Sequence, residues 1–392
     1  MRKAFARCQP DLRITITENI PYRGVIATEI MQVLLTPHVV SMIVRYVSRL
    51  RRSLGALTWL AALAGTVAPG LSLAQTGALP TVVPAGTKLV VADQNEALQT
   101  LLRVSGEQSR LTAQVSYANF LGGPSILEAF RAGALDLAVV GNTPPIQAHA
   151  AGEPLPIVAV RKTSAPDYQL AVRPGLTIAS LKDLKGKSIA YAEGTGRQPF
   201  VLTALKVAGL SRRDVKLVPL RAGDFPTAIR AGQVDVAALN EPHFSRYLRD
   251  FADRKASAIP ASEHRQLPTR LAYLYASPKA LSDPGKTAAI RQFVEAWIRA
   301  NDWAEKHPQQ WVQAYYVKQQ GLREEDGLAI VRADGQATYP LLADSIAPQQ
   351  GLIDLIQEAG DIPRRLDARQ EFDLRFDPVI RAAVASLPAT RQ

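Results

Sequence analysis

Two nine-residue stretches, 99 positions apart, constrain the fold of this 392-residue chain more than any other feature. FRAGALDLA (130–138) and IRAGQVDVA (229–237) agree at five of nine positions. Each reads as the end of a helix, a glycine C-cap (Gly133, Gly232), an apolar strand, and a polar loop ending in proline. Those loops are Gly141-Asn142-Thr143-Pro144 and Asn240-Glu241-Pro242. The repeat predicts two related lobes. In an open parallel sheet ligands sit beyond the carboxyl ends of the strands, so the two loops are expected to face one another across a cleft.

The intervening pattern agrees. Apolar strands are predicted at 88–92, 113–117, 135–140 and 156–160, alternating with helices at 97–105, 124–132 and 145–151. After Pro174-Gly175 the alternation restarts, with a short helix at 181–185, strands at 188–192, 215–218 and 234–239, and helices at 199–208 and 225–231. A last strand at 271–276 precedes long helices at 287–306, 308–316 and 347–359. Continuous apolar strands between amphipathic helices imply a mostly parallel sheet covered on both faces, an α/β fold. The stretch 75–86, rich in Pro, Gly, Thr and Ala, reads as a short leader.

Net charge is +11, which by itself points to nucleic acid or membranes. Its distribution argues otherwise. From Met42, a segment with Arg45, Arg49, Arg51 and Arg52 precedes a 14-residue uncharged run, 54–67, and small residues at Ser72 and Ala74. This is the layout of a secretory signal peptide, 42–74, with cleavage expected after Ala74. Residues 1–41 then read as an over-extended N-terminus. Positions 1–74 hold nine basic and three acidic residues, so 75–392 carries only +5, with 37 basic and 32 acidic. No basic cluster with interleaved aromatics occurs there, and no nucleic-acid partner is expected. The single cysteine, Cys8, and all three methionines precede residue 75. A thiol-free exported protein suits an oxidising compartment.

Catalytic and metal motifs are missing from the sequence. His149, His243, His264 and His307 show no ligand spacing, so no metal or cofactor is expected. No Gly-x-Ser-x-Gly elbow or phosphate loop is present. Helix N-termini following strands are what the sequence offers. Gly123-Pro124-Ser125 opens one, Asn142-Thr143 another, and Gly194-Thr195-Gly196-Arg197 a third. Small residues bring a ligand to backbone N–H groups, where the helix dipole favours an anion. Ser125, Thr143 and Thr195 add hydroxyls, and Arg197 a full charge. Asp224 reads as a helix N-cap.

The run from about Ala92 to Tyr247 resembles the periplasmic solute-binding proteins of ABC importers for sulfonates, taurine and nitrate. The likeness lies in LGGPSILEAFRAGALDLAVVGNTPPIQAHAAG (121–152), SLKDLKGKSIAYAEGTG (180–196), ALKVAGL (204–210) and AGDFPTAIRAGQVDVAALNEP (222–242). The resemblance implies a two-lobed periplasmic-binding-protein fold of type II. One lobe would comprise 87–172 plus 270–392 and the other 173–269, with the ligand cleft between. It also implies a monomer that closes on a small organic anion and docks on a membrane permease with its ATPase. The family's helix start falls on Gly123, Pro124 and Ser125, its Gly-Asp-x-Pro-Pro loop on 141–145 with Asn142 for the acid, and its Gly-Ser-Ser turn on Gly194, Thr195 and Gly196. Gln94 matches a polar residue that lines the cleft in relatives.

Two departures bear on the ligand. Asn240-Glu241-Pro242 stands where sulfonate binders have Trp-Asp-Pro, losing an aromatic wall, and Gln198 beside Arg197 stands where they have histidine. Both imply a ligand larger or more polar than a simple alkanesulfonate. Glu241 either meets a ligand ammonium, as in taurine, or pairs with Arg197. Enzymes on the same scaffold, desulfinases and pyrimidine synthases, form the alternative. Desulfinase chemistry needs a thiol that 75–392 does not have. A regulatory effector-sensing domain would need a DNA-binding helix-turn-helix, where this chain has a leader.

Overall fold

The computed structural model describes residues 77–388; the expected signal peptide, its cleavage point after Ala74 and the segment 1–41 lie outside them. The first strands, β1 (Lys88–Gln94), β2 (Gln114–Phe120), β3 (Leu137–Val140) and β4 (Ile157–Pro166), build one sheet. After β4 the chain crosses to a second sheet of β5 (Gln169–Val172), β6 (Ser188–Tyr191), β7 (Lys216–Pro219), β8 (Val236–Leu239) and β9 (Ser257–Ala258). It then returns as β10 (Thr269–Ala276). The orders are β2-β1-β3-β10-β4 and β7-β6-β8-β5-β9.

The two sheets share one plan. Both are mixed, with a single strand, β10 or β5, antiparallel to its neighbours. The repeated segments occupy the same place in each, at the same register. Leu137 pairs with Val91 and Ala138 with Tyr275; Val236 pairs with Ile189 and Ala237 with Ala171. Gly133 and Gly232 end their helices at φ 68° and 72°, a region open to glycine at little cost. The shared aspartate explains itself here. Asp136 accepts from Val90 N–H at 2.9 Å and meets Lys286 at 2.6 Å. Asp235 accepts from Ser188 N–H at 2.9 Å and meets Arg173 at 2.7 Å. In both lobes the carboxylate locks the start of the strand to its central neighbour.

Helices cover both faces of each sheet. They are α1 (Ala97–Val104), α2 (Gly123–Arg131), α3 (Thr143–Ala150), α4 (Arg197–Val207), α5 (Phe225–Arg230) and α6 (His243–Asp250), then α7 (Pro284–Lys306), α8 (Glu324–Asp334), α9 (Leu342–Glu358) and α10 (Asp377–Ala385). Alternation along the second sheet shows the double burial. Leu170, Val172, Ile189, Val236 and Ala238 enter one core, while Ala171, Ala190, Ala237 and Leu239 enter the other. Leu79 and Val83, in the stretch read as leader, pack on the core of the first sheet.

Some expectations change. β4 extends six residues beyond Val160, and β5, α6, α8 and α10 were not foreseen. Helix α9 starts at Leu342, five residues before the expected start at 347, and runs through Pro348. Its first turn is anchored by Asp377, which accepts from Leu342 N–H (2.6 Å) and Ala343 N–H (3.3 Å). The helix expected at 308–316 is α-helical only over Pro308–Trp311 and continues as a π-helix, Val312–Val317.

Candidate functional site

The carboxyl ends of β1, β3 and β8 open on a cleft of about 710 Å³ between the sheets. Of the residues singled out in the sequence, Gln94, Gly123, Thr195, Gly196, Arg197, Asn240 and Glu241 line it. Arg197 opens α4. Its Nε donates to Ala238 O at 3.1 Å and its Nη2 to Asn240 Oδ1 at 2.6 Å. The guanidinium lies 4.8 Å from the centre of the Tyr168 ring and 5.4 Å from that of Phe225. Two bonds and two ring faces fix its plane, and Nη1 has no hydrogen-bond partner among the described residues. Gly196 is required by close approach, since a Cβ there would come 2.6 Å from Tyr168 Oη. The Thr195 hydroxyl donates to Ala192 O (2.8 Å) and accepts from Arg197 N–H (3.3 Å), so it is committed to the turn.

On the facing wall, Gln94 Nε2 donates to Val139 O at 3.4 Å. Asp93 beside it is buried and accepts from the N–H groups of Gln94 (2.7 Å), Leu98 (2.9 Å) and Gln99 (2.8 Å). Burial raises its pKa against the pull of those donors. The N-terminus of α1 is thus already neutralised from within. Asn95 and Glu96 hold left-handed φ of 54° and 59° in this turn, a strained pairing of the kind that collects at functional sites.

Five expected site residues lie outside the cleft lining. Ser125, the third residue of α2, is turned away by the helical rotation of about 100° per residue and is exposed. Pro124 and Gly194 border a separate crevice of about 390 Å³, where Gly194 N–H donates to Gln198 Oε1 at 2.9 Å. Asn142 and Thr143 are buried. The Thr143 hydroxyl donates to Asn142 Oδ1 (3.3 Å), and Gln349 Nε2 donates to Asn142 O (3.0 Å). Asp224 lines the cleft but makes no cap hydrogen bond. Arg197 pairs with Asn240, and no ion pair joins it to Glu241 among the described residues. Glu241 instead accepts from Ser245 N–H at 3.2 Å.

Sequence reasoning expected two crossings, at 172/173 and 269/270, but singled out no residue at them and missed the C-terminal wall. Asp167 and Tyr168 connect β4 to β5, and Arg270 opens the return along β10. Asp167 N–H donates to Pro268 O at 3.2 Å, binding the two crossings together. The Asp167 carboxyl makes no hydrogen bond among the described residues, and burial pushes its pKa up to about 7 against the opposing charges of Arg270 and Arg197. Arg270 pairs with Asp334, and Arg161 with Glu305 at 3.5 Å. His243 is driven below its ordinary value by burial and then by Arg197 and Arg246. Trp311 and Tyr315 stack with ring centres 4.9 Å apart, with Tyr316 edge-on, and all three line the cleft. They supply the aromatic wall that the loss of a tryptophan before Glu241 seemed to remove. Three aromatics in six residues, in a chain with 6% aromatics, were the available signal.

Two sheets, a strand-end cleft and twin crossings define a binding protein of the type II periplasmic class. Residues 121–311 match the family model described as NMT1/THI5 like. An Escherichia coli (strain K12) protein, provisionally named as an aliphatic sulfonates-binding protein, is 29% identical over 267 residues, 66% of this chain and 79% of its own. The alkanesulfonate-binding protein SsuA from Xanthomonas axonopodis pv. citri, solved bound to MOPS, superposes with a TM-score of 0.65 at 25% identity, covering 74% of this chain and 99% of that one. A mutant of DSZB in complex with biphenyl-2-sulfinic acid shares the fold at 14% identity and TM-score 0.54, over 76% of this chain and 99% of its own. Over residues 121–311 the chain resembles the NMT1/THI5-like proteins, and it has the fold of the periplasmic sulfonate-binding proteins.

Proposed function

We propose that the protein is the extracytoplasmic receptor of an ABC importer, capturing a small sulfonate-type anion, an aliphatic sulfonate or taurine, for a membrane permease. One observation carries the reading: Arg197 is held rigidly at the cleft with a terminal nitrogen unused, beside the first turn of α4. A planar cation with a free donor at a helix N-terminus suits the oxygens of a sulfonate. Sulfonate binding in the E. coli and Xanthomonas relatives supports the ligand class. The reading is of a binding protein and not an enzyme. The DSZB fold likeness leaves a sulfinate-processing enzyme as the competing view, but the cleft lining contains no thiol. The site is assigned to Arg197, Asn240, Thr195, Gly196, Gln94 and Gly123. Export through 42–74 to the periplasm belongs to the same proposal.

A thermal-shift screen against alkanesulfonates, taurine, sulfate esters, nitrate and aromatic carboxylates tests it. Ligand at 100 times Kd stabilises by about 2.7 kcal/mol. Arg197→Ala is expected to weaken sulfonate binding at least tenfold, about 1.4 kcal/mol. Unchanged affinity would remove Arg197 from the site, and no stabilisation by any sulfonate would overturn the ligand class.

A further inference from the structure

A buried polar chain that the sulfonate reading does not use starts at a cleft loop and ends on a histidine. The loop is 141–144, after β3. Its Gly141 and Pro144 line the cleft, and a Cβ on Gly123 would come 2.6 Å from the Pro144 ring. The carbonyl of Asn142 accepts from Gln349 Nε2 of α9 at 3.0 Å. The same amide nitrogen donates to Glu371 Oε2 at 2.7 Å, and Gln349 Oε1 accepts from the Tyr273 hydroxyl of β10 at 3.1 Å. Glu371 Oε1 meets His149 Nδ1 at 3.0 Å, and His149 Nε2 meets Gln370 Oε1 at 3.1 Å. The loop, α3, α9, β10 and the short turn Ala368–Glu371 thus meet at one carboxylate.

Glu371 is 0% exposed and Gln349 1%. A carboxylate sealed this far from water needs a counter-charge, and its ion-pair partner is His149. An acceptor stands at each ring nitrogen, the pattern of an imidazolium, which donates from both. The bond to Glu371 raises the His149 pKa against burial, with Gln370 adding to it and Arg364 opposing. On the far side of the carboxylate stand Gln349 and the Tyr273 hydroxyl. From α2, packed on α3, come Glu128 and Arg131, which pair with one another, Arg131 also holding Glu153.

We propose that Glu371 and Gln349 are positioning residues for the cleft: Glu371, kept charged by protonated His149, orients Gln349, which fixes the Asn142 carbonyl and the loop presenting Gly141 and Pro144 to the ligand. This role rests on the receptor reading above and deepens it. The folded pKa of His149 lies above its ordinary value of about 6.5, so the pair is complete below that pH and is lost as pH rises through the folded value. Neutral His149 has one N–H for two acceptors, and Glu371 is then a buried charge without a counter-charge.

Two measurements on the full chain test this. In the unliganded protein at about pH 6, Glu371→Gln and Gln349→Leu, each with an unaltered circular-dichroism spectrum, are expected to speed amide exchange in 141–148 at least threefold. Faster exchange confined to 368–371 would mean that the chain staples the C-terminal segment alone, and would overturn the proposal. The second measurement is calorimetric affinity for propane-1-sulfonate, whose charge is constant in this range, for wild type and His149→Gln. The cleft groups Asp167, Glu241 and His243 are common to both and cancel in the ratio. Wild type is expected to bind at least threefold more tightly at about pH 6 and equally at about pH 9; a ratio independent of pH would also overturn the proposal. If wild type binds no sulfonate, the ligand class proposed above falls, and the exchange result alone decides the positioning role.

Discussion

Asp167 lines the cleft with a strongly perturbed carboxyl group. Burial pushes its carboxyl up to about 7 in the folded protein, against about 3.9 in an unfolded chain. Between those values the folded state binds more protons than the unfolded state, so the contribution of Asp167 to stability falls as pH rises from about 4 to 7. Asp167→Asn is expected to flatten that decline in the unliganded protein, measured as denaturant midpoints across this range. A slope that the substitution leaves unchanged would show that Asp167 stays ionised throughout. Arg197 opposes Asp167 from α4 and Arg270 from β10, and the Tyr168 ring lies alongside. Arg197 was legible in the sequence because a charge followed a glycine turn after a strand. Asp167 was not, since Pro-Asp-Tyr between two strands reads as an ordinary turn, and only the sheet crossing makes it part of the site.

At the level of elements, the repeated aspartates state how each lobe is assembled. Asp136 and Asp235 make the same backbone bond to the neighbouring strand and each meets one cation. Charge-assisted bonds of this kind contribute about 1.5–3 kcal/mol. Asp136→Ala and Asp235→Ala are therefore expected to destabilise by similar amounts, about 2 kcal/mol each, in denaturant unfolding. A loss confined to one of them would break the equivalence of the lobes. This equivalence was readable from nine residues, because helix cap, strand and aspartate are all local. The elements that escaped were decided by distant partners. Pro348 sits inside α9, whose first turn is fixed by Asp377, 35 residues after Leu342. Ser125 and Thr143 had the right chemistry, but rotation along one helix and burial of the other withdrew them from the cleft.

For the molecule as a whole, the C-terminal segment ties the lobes. Asp361 accepts from Tyr191 Oη (2.6 Å) and Gln198 Nε2 (2.7 Å) and pairs with Arg212, while Leu355 and Ala359 pack on the second sheet's core. Asp361→Ala is expected to lower the melting temperature and speed amide exchange in α4. Exchange unchanged there would mean that α4 is held by its own lobe alone. Sequence periodicity established the α/β class, and its loops located one wall of the cleft. The opposite wall comes from 311–316, beyond the range over which local pattern speaks. One consequence follows from the hydrogen bond between Asp167 and Pro268, which pins both crossings at a common point. If the two sheets rotate against one another, that point would serve as the fulcrum. Leu121, 93% exposed at the lip, is at the far end of the beam. Any rotation about the fulcrum moves the lip much further than it moves Asp167. On the receptor reading proposed above, a small displacement at Asp167 would thereby become a larger one at the lip offered to a permease.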